Sequence, residues 1–329
     1  MANVQKYFEQ FHQRIRVDYE MSSTLREKRD IILNRIRKYL SDNGLPSFTE
    51  ILQGSYKMKT GVIPIANLEY DIDVGLRFSI KPTDYSAKTV RKWVFDAVDG
   101  HTQKVEERGP CIRVTYADGY HVDLVIYACW TDEFNQNQCR LAHKTNGWRE
   151  ADPVGLIDYV KVARKPYEGT EDKATQTDQF RRIVRYQRRW IDEEIPVESS
   201  AKPAGLAFVL LCIEKLRPTL SWMGLSDDRA ALEALAKEIS STVGRLVAKK
   251  PTPEYEDMLS CLSDEEMDSL KVRYGVMAQA LREADAATDP VEACKILEKI
   301  FGDDFPIPEA EETAKKTHAP AIVTSSSSG

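Results

Sequence analysis

Two short motifs, Gly54-Ser55 and Asp71-Ile72-Asp73, decide the fold of this chain. The Gly-Ser pair follows a predicted short strand over 48–53 and predicts a turn whose hydroxyl can bind a phosphate. The two aspartates lie in a strand-like run, and strand side chains alternate between faces, so both carboxylates point to one side. Together the motifs indicate a site that holds a nucleoside triphosphate through its phosphates and through divalent metal.

A third carboxylate is supplied by Asp123, which interrupts the apolar run 122–126. A charge at such a position is costly unless it is paired or bound to metal. A turn signal at 117–119 separates two predicted strands over 111–116 and 120–128, which form a hairpin. The hairpin therefore brings Asp123 to the sheet that carries the other two aspartates.

The three carboxylates suit the transfer of a nucleotidyl group, which uses two Mg²⁺ ions and their preference for oxygen ligands. Each of these aspartates also has a non-catalytic explanation. An isolated Asp-x-Asp pair is common on a solvated strand face, and Asp123 could simply pair with Arg113. The conjunction of turn, Asp-x-Asp strand, hairpin and single buried aspartate favours the catalytic interpretation.

The coarse layout is α+β and two-lobed. Residues 1–150 are expected to form a helical N-terminal pair and a mixed-sheet lobe, 151–306 a helical lobe, and 307–329 a flexible tail. Hydrophobic periodicity and capping signals predict one further helix in the sheet lobe and several in the helical lobe. These helices are expected over 86–98, 177–194, 203–217, 226–249, 263–287 and 289–301.

Composition narrows the class of protein. The chain has 329 residues, a formal net charge of −6 and six scattered cysteines without a disulfide-framework spacing. The charge disfavours a protein whose task is to grip long nucleic acid. We expect a cytoplasmic protein with free thiols, no signal peptide and no membrane span, since the longest apolar run, 204–213, is too short for one.

Taken together, Gln53-Gly54-Ser55, the Asp-x-Asp strand and Asp123 resemble the polymerase-β-type nucleotidyltransferase superfamily. More narrowly, they resemble the bacterial cGAS/DncV-like nucleotidyltransferases (CD-NTases), with which the pattern Gly-Ser-x(3)-Lys-Thr at 54–60 agrees. The resemblance covers the lobe from about residue 48 to 128, a long N-terminal helix that braces it, and the helical lobe.

This resemblance implies Mg²⁺-dependent synthesis of a cyclic di- or trinucleotide second messenger in bacterial anti-phage (CBASS) signalling. Two Mg²⁺ ions would lie on Asp71, Asp73 and Asp123, with Mn²⁺ able to substitute, and ATP or GTP would be the substrate. Gln53, Gly54 and Ser55 would hold the triphosphate, and the product would switch on a downstream effector. The bases, ring size, linkage, need for an activator and oligomeric state stay open.

Residues beyond the core motif receive weaker assignments. The resemblance implies that Ser199 and Lys202 reach the triphosphate from the helical lobe, although a solvated helix start explains them equally well. Arg181, Arg185 and Arg188 share a helix face that could order an acceptor nucleotide or bind a regulator, although such a face is more often solvated beside acidic partners. Lys57, Lys59 and Thr60 are further pocket candidates, and for the two lysines a solvated loop is the stronger interpretation.

Two features lie outside the core motif. Cys129, Cys139 and His143 offer three zinc ligands without a Cys-x-x-Cys spacing, so free thiols are favoured over a zinc site. The terminal Gly329 of a Ser-rich tail suits conjugation by a ubiquitin-ligase-like enzyme, or is an ordinary chain end.

Three rival functions use the same residues. The chain could transfer a nucleotide to RNA, a protein or a small molecule. It could be a non-catalytic nucleotide-binding scaffold, which the presence of all three aspartates disfavours. It could also depend on activation by a partner protein, which the sequence neither supports nor excludes.

Overall fold

The first part of the chain contains both strands and helices, and every named element after β7 is a helix. The computed structural model describes residues 3–17, 23–65, 70–117, 119–196 and 199–309. Seven strands lie in these ranges: β1 Phe48–Leu52, β2 Tyr70–Phe78, β3 Lys104–Glu107, β4 Cys111–Thr115, β5 Tyr120–Thr131, β6 Asn137–His143 and β7 Gly147–Glu150. The α-helices of the described ranges are α1 Gln5–Ile15, α2 Ser23–Asp42, α3 Gly54–Met58, α4 Ala87–Val98, α5 Pro153–Ala163, α6 Gln179–Glu194, α7 Gly205–Lys215, α8 Asp228–Ser240, α9 Asp264–Ala286 and α10 Pro290–Phe301.

All seven strands join in one mixed sheet with the order β1-β2-β5-β4-β3, extended by β6 and β7. β2 and β5 run parallel, and their register sets Asp73 opposite Asp123. The long strand β5 pairs with β2 along one edge, while β4 and β6 share its other edge. The α+β fold class and the hairpin of β4 and β5 are confirmed.

The two faces of the sheet have different chemistry because side chains alternate along each strand. Ile72, Val74, Leu124 and Ile126 are fully buried on one face, together with Val94 and other apolar residues of α2 and α4. The odd-numbered positions of β2 and β5, including all three aspartates, point to the opposite face. Burial of one face therefore delivers the carboxylates to the other.

A second core belongs to the helical lobe, and α1 is part of it. Phe8 and Phe11 pack against Tyr186, Phe301 and Phe305, with ring centroids 5.1–6.0 Å apart. The sequence prediction placed both N-terminal helices with the sheet lobe. The structure keeps α2 there and moves α1 to the helical core, because its aromatic face finds partners on α6 and α10.

Helix ends follow the capping signals. Asp152, Ser263 and Asp289 each accept a hydrogen bond from a backbone N–H of the first turn, and Ser263 completes a capping box with Glu266. One predicted helix is too long: the run 226–249 forms α8 only to Ser240. None of the helices in the described ranges combines the length and the apolar character needed to cross a bilayer.

Three strands, β3, β6 and β7, were not predicted, and their pairing corrects the cysteine prediction. Cys129 and Cys139 lie directly opposite each other on antiparallel β5 and β6, with Cα atoms 4.3 Å apart, and form a disulfide. The prediction of free thiols is therefore wrong for this pair. Cys111, Cys212 and Cys294 are buried free thiols, and Cys261 is an exposed one.

Candidate active site

Three carboxylates meet on the open face of the sheet. Asp71 and Asp73 come from β2 and Asp123 from β5, and one carboxylate oxygen from each lies within 4.8 Å of the others. Asp123 is 5% exposed, so the apolar strand holds it at the base of the site. The structure thus brings together the three residues that the sequence grouped.

The three charges repel one another in a poorly solvated place. Although 43% of the Asp71 side chain is exposed, its depth in the site and then the carboxylates of Asp73 and Asp123 raise its pKa. Burial and the Asp123 carboxylate raise the pKa of Asp73 in the same way. A bound cation would relieve this repulsion, and the all-oxygen donor set fits a hard divalent ion such as Mg²⁺.

Arg113 compensates part of the negative charge. Its Nε and Nη2 donate to the two carboxylate oxygens of Asp123 at 2.7 and 2.5 Å. Nη2 also lies 3.7 Å from Asp71. Arg113 stands opposite Asp123 in the β4–β5 ladder, so the sheet register itself orients the third carboxylate. The pairing of Arg113 with Asp123, which was the alternative to a catalytic role, therefore exists, and it is part of the carboxylate cluster.

The Gly-Ser turn lies directly against the carboxylates. Gly54 and Ser55 open the short helix α3, and Gly54 has a left-handed backbone with φ of 59°. A Cβ atom on Gly54 would lie 1.9 Å from Oδ2 of Asp73. The Gln53 N–H donates to the Asp73 carbonyl at 3.2 Å, and the Tyr127 hydroxyl donates to Oε1 of Gln53 at 3.1 Å. Only glycine permits this close approach of the turn to the strand that carries Asp73.

A cleft of about 350 Å³ opens in front of these groups. The sheet lobe contributes the turn, two of the aspartates and Tyr127, and the helical lobe contributes residues of three elements and of the loop after α8. Its helical-lobe lining comprises Pro153, Leu156, Ile157, Arg188, Gly205, Leu206, Val209, Lys250, Glu254 and Glu256. Lys250 pairs with Glu256 at 2.7 Å, so its charge is already compensated.

Arginines of α6 fix the segment that follows the Gly-Ser turn. Arg185 donates to the carbonyls of Lys59 and Gly61 at 2.6 and 3.0 Å. Arg188 donates to the Thr60 carbonyl at 2.8 Å. Arg189 likewise donates to the carbonyl of Ile63 at 2.7 Å. The basic helix is therefore a connection between the two lobes, and the interpretation of a solvated face is wrong for the buried Arg185.

Arg188 is the member of this row that reaches the cleft. Its charge lowers the pKa of both Asp71 and Asp73 against the larger effects that raise them. A Cβ atom on Gly205 would lie 3.3 Å from its guanidinium carbon, so the absence of a side chain there makes room for the charge. Among the described residues, Arg188 has no carboxylate within ion-pairing distance.

Of the other predicted residues, only some lie at this site. Lys202 forms an ion pair with Asp192 at 2.7 Å and does not line the cleft. Ser199 accepts a hydrogen bond from the Ala201 N–H. Their contact with a triphosphate stays a prediction. Thr60 lines the cleft, Lys57 does not, and Gly329 lies outside the described residues.

No zinc site forms from the cysteines that invited one. The disulfide consumes Cys129 and Cys139, and Nδ1 of His143 accepts from the N–H groups of Thr145 and Asn146 at 3.3 and 3.2 Å. Sequence reasoning named Arg188 only as part of a helix face that could order an acceptor nucleotide, and it did not name Tyr127. The sequence contained a signal for Tyr127, because it lies four residues after Asp123 on β5 and therefore points to the same face of the sheet.

Known proteins match both the site-bearing segment and the fold. Residues 47–127 match a family described as the nucleotidyltransferase domain of cyclic GMP-AMP synthase DncV-like proteins. A c-di-GMP synthase of Roseivirga ehrenbergii is 25% identical over 146 residues, or 41% of this chain and 38% of that protein. The match therefore spans less than half the length of this relative.

Solved structures share the fold at low identity. Vibrio cholerae DncV cyclic AMP-GMP synthase superposes with a TM-score of 0.73, at 18% identity over 93% of this chain and 98% of that one. E. coli MS115-1 CdnC, solved with ATP, gives a TM-score of 0.66 at 16% identity, over 92% and 98% of the two chains. Residues 47–127 therefore carry a DncV-like nucleotidyltransferase domain, and the whole chain shares the two-lobed fold of these solved structures.

Proposed function

We propose that the protein joins nucleoside triphosphates into a cyclic di- or trinucleotide in a reaction that requires divalent metal. The observation that carries this proposal is the cluster of three carboxylates within 4.8 Å, beside a glycine turn and beneath an arginine of the opposite lobe. The relative from Roseivirga is named a c-di-GMP synthase and the Vibrio protein a cyclic AMP-GMP synthase, which supports the same class of reaction.

The metal would be held by Asp71, Asp73 and Asp123, whose crowded oxygens suit two Mg²⁺ ions, with Mn²⁺ as a substitute. When bound, such ions activate the attacking hydroxyl and neutralise charge on the leaving pyrophosphate. The protein contributes the three carboxylates to metal binding, and their mutual repulsion falls when a cation binds.

In the transfer step, a ribose hydroxyl oxygen of the acceptor attacks the α-phosphorus of the donor triphosphate. A new P–O bond forms, the bond to pyrophosphate breaks, and the hydroxyl proton passes to the Asp123 carboxylate. Arg113 holds Asp123 through two hydrogen bonds and fixes where that carboxylate points. A second transfer within the linear product would close the ring.

Arg188 would hold the β- and γ-phosphates from the helical lobe, opposite Gly54 and Ser55. It stands in the cleft without a carboxylate partner among the described residues, whereas Lys202, the residue expected there, pairs with Asp192. A charge-assisted hydrogen bond contributes about 1.5–3 kcal/mol. We therefore assign to Arg188 the binding of ATP or GTP phosphates and of the leaving pyrophosphate.

The biological setting follows the resemblance. We propose that the product signals infection in CBASS defence by activating an effector. We also propose that a ubiquitin-ligase-like enzyme conjugates the protein through Gly329. Mass spectrometry of adducts formed with such an enzyme tests the latter: deletion of Gly329 should abolish the adducts and leave nucleotide synthesis intact, and adducts that persist would reject it.

The activity test uses purified protein with all four radiolabelled nucleoside triphosphates and Mg²⁺, followed by phosphatase treatment and thin-layer chromatography. A phosphatase-resistant product should form, and it should disappear in Asp71→Asn/Asp73→Asn protein and persist in the control Asp268→Asn, whose carboxylate is exposed on α9. Omission of single triphosphates then names the bases.

Pyrophosphate release measured in parallel separates the alternatives. Release without a resistant product would favour transfer to RNA, a protein or a small molecule. Neither release nor product, despite tight nucleotide binding, would favour a scaffold or a requirement for an activator, and would contradict a constitutive synthase.

A further inference from the structure

We propose that a second cavity of the sheet lobe is a binding site for a phosphate-bearing small molecule, with Arg77 and Lys81 as its cations. The cavity has a volume of about 450 Å³ and lies at the ends of β2, β5 and β6. It is lined by Thr49, Arg77, Ser79, Ile80, Lys81, Asp84, Cys129, Trp130, Thr131, Asn137 and Gln138. The proposal does not depend on the activity proposed above.

This cavity is separate from the catalytic cleft, although both open on the same face of the sheet. Arg77 follows Asp73 by four residues along β2, which keeps it on the same face and sets the two Cα atoms about 13 Å apart. Gly75 lies between them, with Tyr127 opposite Arg77 on β5. The two cavities share no lining residue.

The guanidinium of Arg77 is the central feature because no carboxylate of the described residues forms an ion pair with it. Neighbouring arginines of this lobe are paired: Arg37 with Glu50, Arg113 with Asp123, and Arg140 with Glu150. Arg77 is half-buried, and its Nε is buried without a hydrogen-bond partner within the described part of the chain. Burying an unpaired charge is unfavourable, and an anion in the cavity would remove that penalty.

The remaining lining adds donors around this charge. Lys81 brings a second cation, and the hydroxyls of Thr49 and Ser79 and the side-chain amide of Asn137 add neutral hydrogen-bonding groups. Asp84 is the one carboxylate in the lining, and its Oδ2 already accepts from the Lys81 N–H at 2.8 Å. Two cations against one engaged carboxylate leave a net positive cavity, which suits the double charge of a phosphate monoester.

The base of the cavity is rigid, which favours binding without loss of conformational freedom. The disulfide between Cys129 and Cys139 joins the two strands there. The Trp130 ring is covered by the Arg140 guanidinium, 5.7 Å from the ring centroid. Arg77 therefore stands on a strand beside a covalently joined strand pair, and Lys81 lies in the segment that directly follows β2.

The test is calorimetric titration of the full-length protein with pyrophosphate in EDTA, so that metal-dependent binding in the catalytic cleft cannot contribute. Wild-type protein should bind one pyrophosphate. Arg77→Gln and Lys81→Gln should each weaken binding at least tenfold, and Arg77→Lys should weaken it less. Lys88→Gln removes the same charge from an exposed position on α4 and should change affinity less than threefold.

Arg188→Gln separates the two cavities. The proposal is overturned if wild-type protein binds no pyrophosphate without metal, or if Arg188→Gln abolishes binding while Arg77→Gln and Lys81→Gln leave it unchanged. Lys81 is exposed, so its variant stays informative even if Arg77→Gln fails to fold. Titration with inorganic phosphate, AMP and GMP identifies the source: tighter nucleotide binding assigns a nucleotide, and equal binding assigns the free anion. Because no turnover is measured, an inactive protein would still report on this site.

Discussion

Replacing Gly54 by alanine is the sharpest test of how the glycine turn and the carboxylate cluster depend on each other. The backbone cost is modest, since a non-glycine residue in the left-handed region costs roughly 1–2 kcal/mol. The steric cost is larger. The new Cβ would lie 1.9 Å from Oδ2 of Asp73, whereas ordinary contact begins near 3.4 Å, so turn and carboxylate must separate. A displacement of about 1 Å at a reacting group lowers the rate about 100-fold.

Gly44→Ala is the matched control. Gly44 has φ of 62°, close to the 59° of Gly54, and its added Cβ would meet nothing within 4 Å. Both variants should lose about 1 kcal/mol of unfolding free energy from the backbone alone. Only Gly54→Ala should also lose about 100-fold in the rate of pyrophosphate release at saturating nucleotide and Mg²⁺, because only its methyl group displaces Asp73, a proposed metal ligand.

Urea unfolding of the double variant Gly54→Ala/Asp73→Ala completes the design. Removing the Asp73 carboxylate removes the atoms that the methyl group would strike. The double variant should therefore be more stable than the sum of the two single effects predicts, by about 1 kcal/mol or more. The reasoning is refuted if Gly54→Ala retains activity within threefold of Gly44→Ala, or if the two substitutions are additive.

Three further predictions concern stability, each measured by urea unfolding. Arg182→Met leaves the fully buried Asp228 carboxylate without its 2.7 Å partner and should cost about 3–5 kcal/mol. Burial and then Arg185 lower the pKa of His12 to about 2, so its contribution is complete above the unfolded pKa of about 6.5 and is lost as pH falls towards 2; His12→Gln should flatten the pH dependence between pH 4 and 6.5 by up to about 1.4 kcal/mol per pH unit. Cys129→Ser opens a loop of sequence separation 10 and should cost about 2–3 kcal/mol under oxidising conditions, with no change under reducing ones.

Local chemistry made much of the sheet lobe predictable. The shared face of Asp71, Asp73 and Asp123 could be predicted, because each residue lies in an alternating or apolar run whose other face had to be buried. The starts of the capped helices were also predictable, because Asp152 and Ser263 form their capping hydrogen bonds within one helical turn. What sequence reasoning missed depends on partners distant in the chain, as β6 does when its register brings Cys139 opposite Cys129.

The basic helix α6 shows why composition alone does not predict such long-range partners. A run of arginines ordinarily indicates a solvated surface, yet Arg182 is fully buried and Arg185 is 3% exposed. Their partners include backbone carbonyls, and a carbonyl leaves no mark in the residue type that carries it. Residues 59–63 lie outside the named strands and helices, so their buried carbonyls need hydrogen-bond donors from other parts of the chain. Guanidinium groups meet that need across the gap between the lobes. One helix thereby fixes the segment behind the phosphate turn and brings the charge of Arg188 to the cleft, so the geometry of the phosphate site is set by the packing of both lobes.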